Sequence, residues 1–158
     1  MHVPITHIRA LQTIIDRIGG ASIDWVLTGS TGMAVQGMPL EVHDIDIQTD
    51  RTGVYHLAGI FADWAVVPVR YLASAEIRSH LGEYEVCGVK VEIMGAIEKW
   101  VGGEWEPPVD VREHRRWREF HGLVVPVLDL EYEVEAYTKM GRTEKAERLR
   151  TWLAARDK

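Results

Sequence analysis

The sequence predicts an α/β (α+β) fold, a mixed sheet with helices packed on it and a helical ending. Three observations point there. Apolar residues recur at helical spacing near the N-terminus, short runs of strand character separated by glycine turns fill the middle, and from Asp129 onward the residues become charged and helix-favouring. At 158 residues, with no internal repeat and no low-complexity stretch, the chain is one domain's worth of sequence and long enough to bury a core.

The elements follow in order. Ile5, Ile8, Leu11, Ile14, Ile15 and Ile18 sit at helical spacing and Gly19-Gly20 interrupts it, so Ile5 to Ile18 reads as an amphipathic helix. Trp25 to Leu27 is a buried strand running into the small residues Thr28-Gly29-Ser30-Thr31-Gly32, and Thr31 to Gln36 reads as a short helix closed by Gly37 and Pro39. Asp44-Ile45-Asp46-Ile47-Gln48 alternates strictly and reads as a strand with one apolar and one polar face. Gly53 to Ala62 is predicted helical, and Ala65 to Tyr71 a strand whose Pro68 marks an edge or a bulge. Glu83–Val86 and Val89–Ile93 flank Cys87-Gly88 as a hairpin, and Trp117–Phe120 and Leu123–Val127 do the same around His121-Gly122. Gly102-Gly103 and Pro107-Pro108 mark a loop between the hairpins, read as mobile, and two helices broken near Gly141 are expected after Asp129.

Composition narrows the function. With 24 acidic against 18 basic side chains the net charge is −6, which disfavours general nucleic-acid binding, a process that draws on phosphate neutralisation by Lys and Arg. The local group Arg112, Arg115, Arg116 and Arg118 reads as a solvated stretch. One cysteine, Cys87, precludes an internal disulfide and a thiolate cluster for zinc. Met1 to Ala10 has neither a signal-peptide core nor a membrane-spanning run. A cytoplasmic protein with no nucleic-acid or membrane partner is expected, acting on a nucleotide or a small molecule.

Three features carry chemistry, and each alone has a plain structural reading. At Leu27-Thr28-Gly29-Ser30, a glycine lets the backbone approach a ligand, the following helix start offers free N–H groups to an anion, and the Ser30 hydroxyl adds a donor; many strands also end in Gly-Ser only to turn. Asp44 and Asp46, two apart on a strand, share a face about 6–7 Å apart along the backbone and repel unless a cation lies between them; two solvated edge aspartates would look the same. Glu92 in Val89-Lys90-Val91-Glu92-Ile93 faces away from Val91 and Ile93, toward the two aspartates or toward solvent.

Order and spacing join the three. Gly29-Ser30, thirteen intervening residues, Asp44-Ile45-Asp46-Ile47 and a later strand with one carboxylate resemble the signature of the nucleotidyltransferase superfamily, the DNA polymerase beta-like fold. Thr28 stands where that pattern usually has an apolar residue. The chain looks most similar to the small bacterial branch that includes aminoglycoside and lincosamide nucleotidyltransferases, and Val125-Pro126-Val127-Leu128, Tyr137, Gly141-Arg142 and Glu144-Lys145 look like the helical ending of those proteins. Several relatives carry a basic residue just before the Asp-apolar-Asp strand; here there is only His43, read as a packed or capped histidine.

The resemblance implies a mixed, mostly antiparallel sheet flanked by helices, with a nucleotidyltransferase core over residues 1–128 and a C-terminal helical segment over 129–158 packed on it as one unit. It implies that Asp44, Asp46 and Glu92 are catalytic and hold one or two Mg2+ ions, Glu92 serving as base, ligand or both. Gly29 and Ser30 would bind the triphosphate of ATP or another NTP. Lys139, Arg142 and Lys145 are candidates for neutralising pyrophosphate, or else form a solvated helix face with pairs such as Glu135–Lys139. Trp100 and Trp105 could line an acceptor cleft and Glu104 and Glu106 could meet a cationic acceptor, although core packing and idle exposed acids are the plainer readings. The implied activity is magnesium-dependent transfer of a nucleoside monophosphate, AMP from ATP, to a hydroxyl of a small molecule or protein. The alternative is a partner protein, the antitoxin of a toxin–antitoxin module; a homodimer is compatible with either.

Overall fold

The computed structural model describes residues 3–157; the outermost positions of the expected segments, 1–2 and 158, lie outside them. Helix α1 (Ile5–Ile18) leads to strand β1 (Trp25–Thr28), helix α2 (Gly29–Val35), strand β2 (Ile45–Thr49) and helix α3 (Arg51–Ile60). Strands β3 (Ala65–Ala73), β4 (Ile77–Val86), β5 (Val89–Val101) and β6 (Glu104–Trp105) follow, then β7 (Arg115–Phe120) and β8 (Leu123–Leu128), and helices α4 (Leu130–Lys139) and α5 (Thr143–Arg156) end the chain. The sheet order is β3-β4-β5-β2-β1-β8-β7, with β6 paired to β5 off that path. β1 runs parallel to β8 and β2 parallel to β5; the other pairings are antiparallel. This is the mixed, mostly antiparallel α/β arrangement that the sequence predicts.

Each boundary has a local cause. α1 buries Ala10, Leu11, Ile14 and Ile18, while its first apolar residue, Ile5, is exposed. β1 is buried at every position because it lies mid-sheet between β2 and β8. α3 begins two residues earlier than the apolar pattern suggests, since the Asp50 carboxylate caps it by accepting from the Gly53 N–H at 2.6 Å. β3 is an edge strand whose register with β4 slips between Val67 and Arg70, around Pro68.

The largest difference lies in the β4–β5 hairpin. It extends from Ile77 to Val101, well past the expected Glu83–Ile93 span, and Gly102-Gly103 is the turn into β6 rather than part of a long loop, with Trp100 opposite Trp105. The period-two signal is broken at Ala96, whose φ of +54° marks an irregularity that hides the strand in the sequence.

The main core lies between the sheet and helices α1 and α3, centred on Leu27, Ile45, Ile47, Leu57, Phe61 and Ile93. A second cluster, Met33, Met38, Leu130, Leu149 and Leu153, ties α4 and α5 to α2. α3 sits so close to β5 that a Cβ on Gly95 would lie 2.6 Å from Val54 and 2.8 Å from the Asp50 carbonyl oxygen. Gly95→Ala is therefore expected to lower unfolding stability by about 1–3 kcal/mol, the usual cost of overpacking. Urea denaturation checks it; an unchanged midpoint would mean that α3 yields freely.

Candidate active site

The site begins where β1 turns into α2. Thr28 is opposite Asp46 across the antiparallel β1–β2 pair, so the next residue passes directly beneath the Asp46 carboxylate. Gly29 takes a φ of +67°, and a Cβ there would lie 2.3 Å from Asp46 Oδ2. Only glycine meets both demands. The next two side chains then fasten the segment leading into β2. Ser30 Oγ accepts from the His43 N–H at 3.0 Å, and the Thr31 hydroxyl donates to the Asp44 carbonyl at 2.9 Å. The His43 carbonyl accepts from His7 Nε2 at 2.6 Å while its ring stays exposed.

On β2, Ile45 and Ile47 are buried in the core, so Asp44, Asp46 and Gln48 share the opposite face. The parallel neighbour β5 sets Glu92 beside Asp46 and Met94 beside Gln48. Glu92 is thus on the same side of the sheet as the two aspartates. Burial above all, then the negative charges of Glu92 and Asp44, push the Asp46 carboxyl up to about 7, against opposing pulls from Lys90 and Lys145. Lys90 supplies the countercharge: its Nζ stands 3.0 Å from Glu92, 3.3 Å from Glu83 and 3.9 Å from Asp44. Its hydrogen bonds to Glu92 and Glu83 hold the ammonium in its charged form well above the usual lysine range.

Of these residues, Gly29, Ser30, Asp44 and Asp46 open onto a cleft of about 340 Å³ that Lys145 also lines; Glu92 and Lys90 stand beside it without lining it. A neighbouring cavity of about 390 Å³ shares Ser30, His43, Tyr137 and Lys145 with it and adds Arg148 over an apolar floor of methionine and leucine. The Lys145 ammonium lies 5.7 Å from the Tyr137 ring centre, and both residues line the same cleft as Asp44 and Asp46. Arg142 also lines it. Lys139 is elsewhere, paired with Glu106 at 3.0 Å and Glu135 at 3.2 Å. Trp100 packs edge-on against Trp105 and Glu104 is exposed on β6.

Two lining residues escape a reading of the sequence. Glu133 is buried beneath the turn, its Oε1 accepting from the Thr28 hydroxyl at 2.7 Å and its Oε2 buried without a partner among the described residues. Burial is the main reason its carboxyl rises to about 7, with Thr28 and the Gly29 N–H opposing the shift. In sequence it looks like one more acid on a charged helix. The available signal is that Glu133 lies at i+3 from Leu130 and i−4 from Tyr137, on the apolar face. Lys99 is the other: it is buried at the far part of the same cleft, and burial lowers its pKa.

Among the described residues, no three acidic, histidine or cysteine side chains converge closely enough to hold a metal; Lys90 bridges Asp44 and Glu92. The donor set nevertheless suits a hard divalent cation: carboxylate oxygens on one sheet face, crowded enough to keep a proton on Asp46 near neutral pH.

Two outcomes are expected. A carboxyl that keeps its proton to higher pH when folded than when unfolded favours the fold while protonated, and that advantage disappears as pH rises from its unfolded value through its folded one. For Asp46 and Glu133 the window runs from about 4 to about 7. Metal-free protein should therefore resist urea better at pH 5 than at pH 8, and Asp46→Asn should flatten the difference; an unchanged slope in that variant would contradict the assignment. Gly29→Ala, which drives a methyl group into the Asp46 carboxylate, is expected to cost at least about 1–3 kcal/mol, read by the same titration.

A family model described as aminoglycoside-2''-adenylyltransferase matches residues 10–154. A crystal structure from Thermotoga maritima, provisionally described as a nucleotidyltransferase, is 48% identical, with 98% of this chain and 96% of that one covered and a TM-score of 0.85. The lincosamide antibiotic adenylyltransferase LnuA, lincomycin-bound, is 16% identical over 79% of this chain and 82% of that one, with a TM-score of 0.53. ANT(2'')-Ia in complex with adenylyl-2''-tobramycin is 14% identical over 97% and 99%, with a TM-score of 0.52. At those identities the last two likenesses concern the fold alone. Comparison with curated proteins finds no match.

Proposed function

We propose that this chain, which belongs to the aminoglycoside-2''-adenylyltransferase family, transfers AMP from ATP to a hydroxyl of a small molecule, with pyrophosphate as the leaving group. The family and the fold are those of nucleotidyltransferases. The observation that carries the finer reading is the register of Asp46 with Glu92 beside the Gly29 turn, with Lys145 facing the same cleft.

In this proposal Asp44 and Asp46 hold magnesium, with Glu92 alongside. The ion supplies charge neutralisation for the phosphate oxygens. Ser30 already accepts the His43 N–H, so its own hydroxyl proton is free to reach a phosphate oxygen. Lys145 and Arg142, from the segment 129–158, balance the charge that develops on the pyrophosphate as it leaves. The acceptor oxygen forms a bond to the α-phosphorus, the bond to the β-phosphate oxygen breaks with its electron pair leaving on pyrophosphate, and the acceptor's proton passes to Glu92. Lys90, paired with Glu92 at 3.0 Å, would have to loosen its hold on Asp44 for a divalent cation to be held there. The core 1–128 thus contributes acids and serine, and the helical ending contributes cations. Lys139, held by two glutamates, is left a structural part.

A cytoplasmic setting suits a protein that uses ATP, and among the described residues no helix is long and apolar enough to cross a membrane. A partner role in a toxin–antitoxin module would need no acid cluster at the glycine turn, and nothing in the cleft favours it.

Labelled-ATP transfer with magnesium, run against a panel of hydroxyl compounds, tests the proposal. Asp44→Asn and Asp46→Asn are each expected to reduce transfer by about 100-fold or more, as losses of electrostatic stabilisation do. They should leave the circular dichroism spectrum unchanged. Transfer at the wild-type rate in both variants would place the metal elsewhere.

A further inference from the structure

The half of the cleft away from the acids contains a buried cation without an anion. Glu92 and Met94 on β5 neighbour the cleft face of β2, whereas Val91 and Ile93 belong to the core. Strict alternation would turn Lys99 to the core side with them. Instead the β4–β5 pairing jumps from His80↔Gly95 to Arg78↔Glu98, so that β5 holds one more residue than β4 across the step, and Ala96 within it has positive φ. This bulge reverses the parity. Ile97 and Lys99 therefore line the cleft.

Lys99 is only 7% exposed. Its ammonium donates to the Tyr132 hydroxyl at 3.1 Å, and Tyr132 is itself fixed by stacking on His114 with ring centres 3.8 Å apart. Among the described residues Lys99 forms no ion pair. The nearest acids are spoken for, with Glu106 bound to Lys139 at 3.0 Å. An ammonium has three donors, and a neutral phenol satisfies one. Ile77, Met94, Ile97 and Gln48 also line the cleft, and the buried Oε1 of Gln48 has no partner among the described residues. The carboxylates that line the cleft, Asp44, Asp46 and Glu133, are gathered at the glycine turn. A polyamine placed here would put positive charge against a buried cation that no carboxylate pairs; an anionic group would pair it.

We propose that Lys99 determines acceptor specificity, binding a phosphate or carboxylate group carried by the hydroxyl acceptor at a distance from the reacting hydroxyl. This rests on the nucleotidyltransferase reading for the word acceptor, while the anion subsite itself can be measured independently. The substrate class is then an anionic hydroxyl compound and not an amine-rich antibiotic.

A charge-matched series tests it: trehalose 6-phosphate, trehalose and 6-amino-6-deoxytrehalose. Binding is followed through the ¹³C-methyl resonances of Met94 and Met140, which line the cleft, with and without a magnesium-bound non-hydrolysable ATP analogue. The 6-phosphate is expected to bind at least about tenfold more tightly than the amine, as a charge-assisted hydrogen bond allows. Lys99→Gln should abolish that preference, Lys99→Arg should keep it, and Lys99→Met should unfold at a higher urea concentration, since it removes an unpaired buried charge. No response to the 6-phosphate, equal response to the amine, a preference that survives in Lys99→Gln, or lowered stability of Lys99→Met overturns the proposal. Failure of the wild-type protein to bind the ATP analogue would sink the enzyme reading instead, because the anion preference is also measured without nucleotide.

Discussion

The space above the Gly29 α-carbon is occupied by a carboxylate, and much of the site is arranged around that fact. Asp46 Oδ2 stands where any side chain at position 29 would begin. The turn between β1 and α2 combines this close approach to β2 with positive φ at Gly29. Ser30 and Thr31 then reach the residues that precede β2 and fix the entry of Asp44. From below, Glu133 of α4 takes the Thr28 hydroxyl. One close approach thus joins the first strand, the second strand and the helical ending at a single point.

That point concentrates negative charge in a partly buried place, which is costly in the absence of counterions. The protein answers in two ways. Asp46 and Glu133 hold their protons to near neutrality, and Lys90 bridges Glu92, Glu83 and Asp44. Lys145 and Arg142, on or beside α5, line the same cleft, so acid and base reach it from different elements. Along β5, the bulge at Ala96 turns Lys99 inward. In a protein of net charge −6, a buried unpaired lysine in the cleft is the clearest departure from the overall balance.

The relation to antibiotic-modifying enzymes is one of family and fold. Function on a shared fold is set by side chains at the site. Around Lys99 those side chains are mostly aliphatic and aromatic, with Gln48 the other polar group.

Much of this was legible without coordinates where a local pattern and its tertiary use coincide. The periodicity of Ile5 to Ile18 is the helix observed, and the strict alternation of Asp44 to Gln48 already separates the acids from Ile45 and Ile47, because strand parity is a local property. Gly29-Ser30 could be placed at a turn for the same reason. Glu92 could be assigned a face of its strand, but only the parallel β2–β5 register sets it beside Asp46. Glu133 and Lys99 were hidden for complementary reasons: one is an acid among acids on a helix whose buried face is decided by what packs on it, the other lies beyond a bulge that inverts the parity on which the reading depends. Sequence alone determined the elements and the identity of the acids, since these follow from short-range spacing. The tertiary structure decided which charges share one cleft, since that depends on strand register and helix docking between residues far apart in the chain.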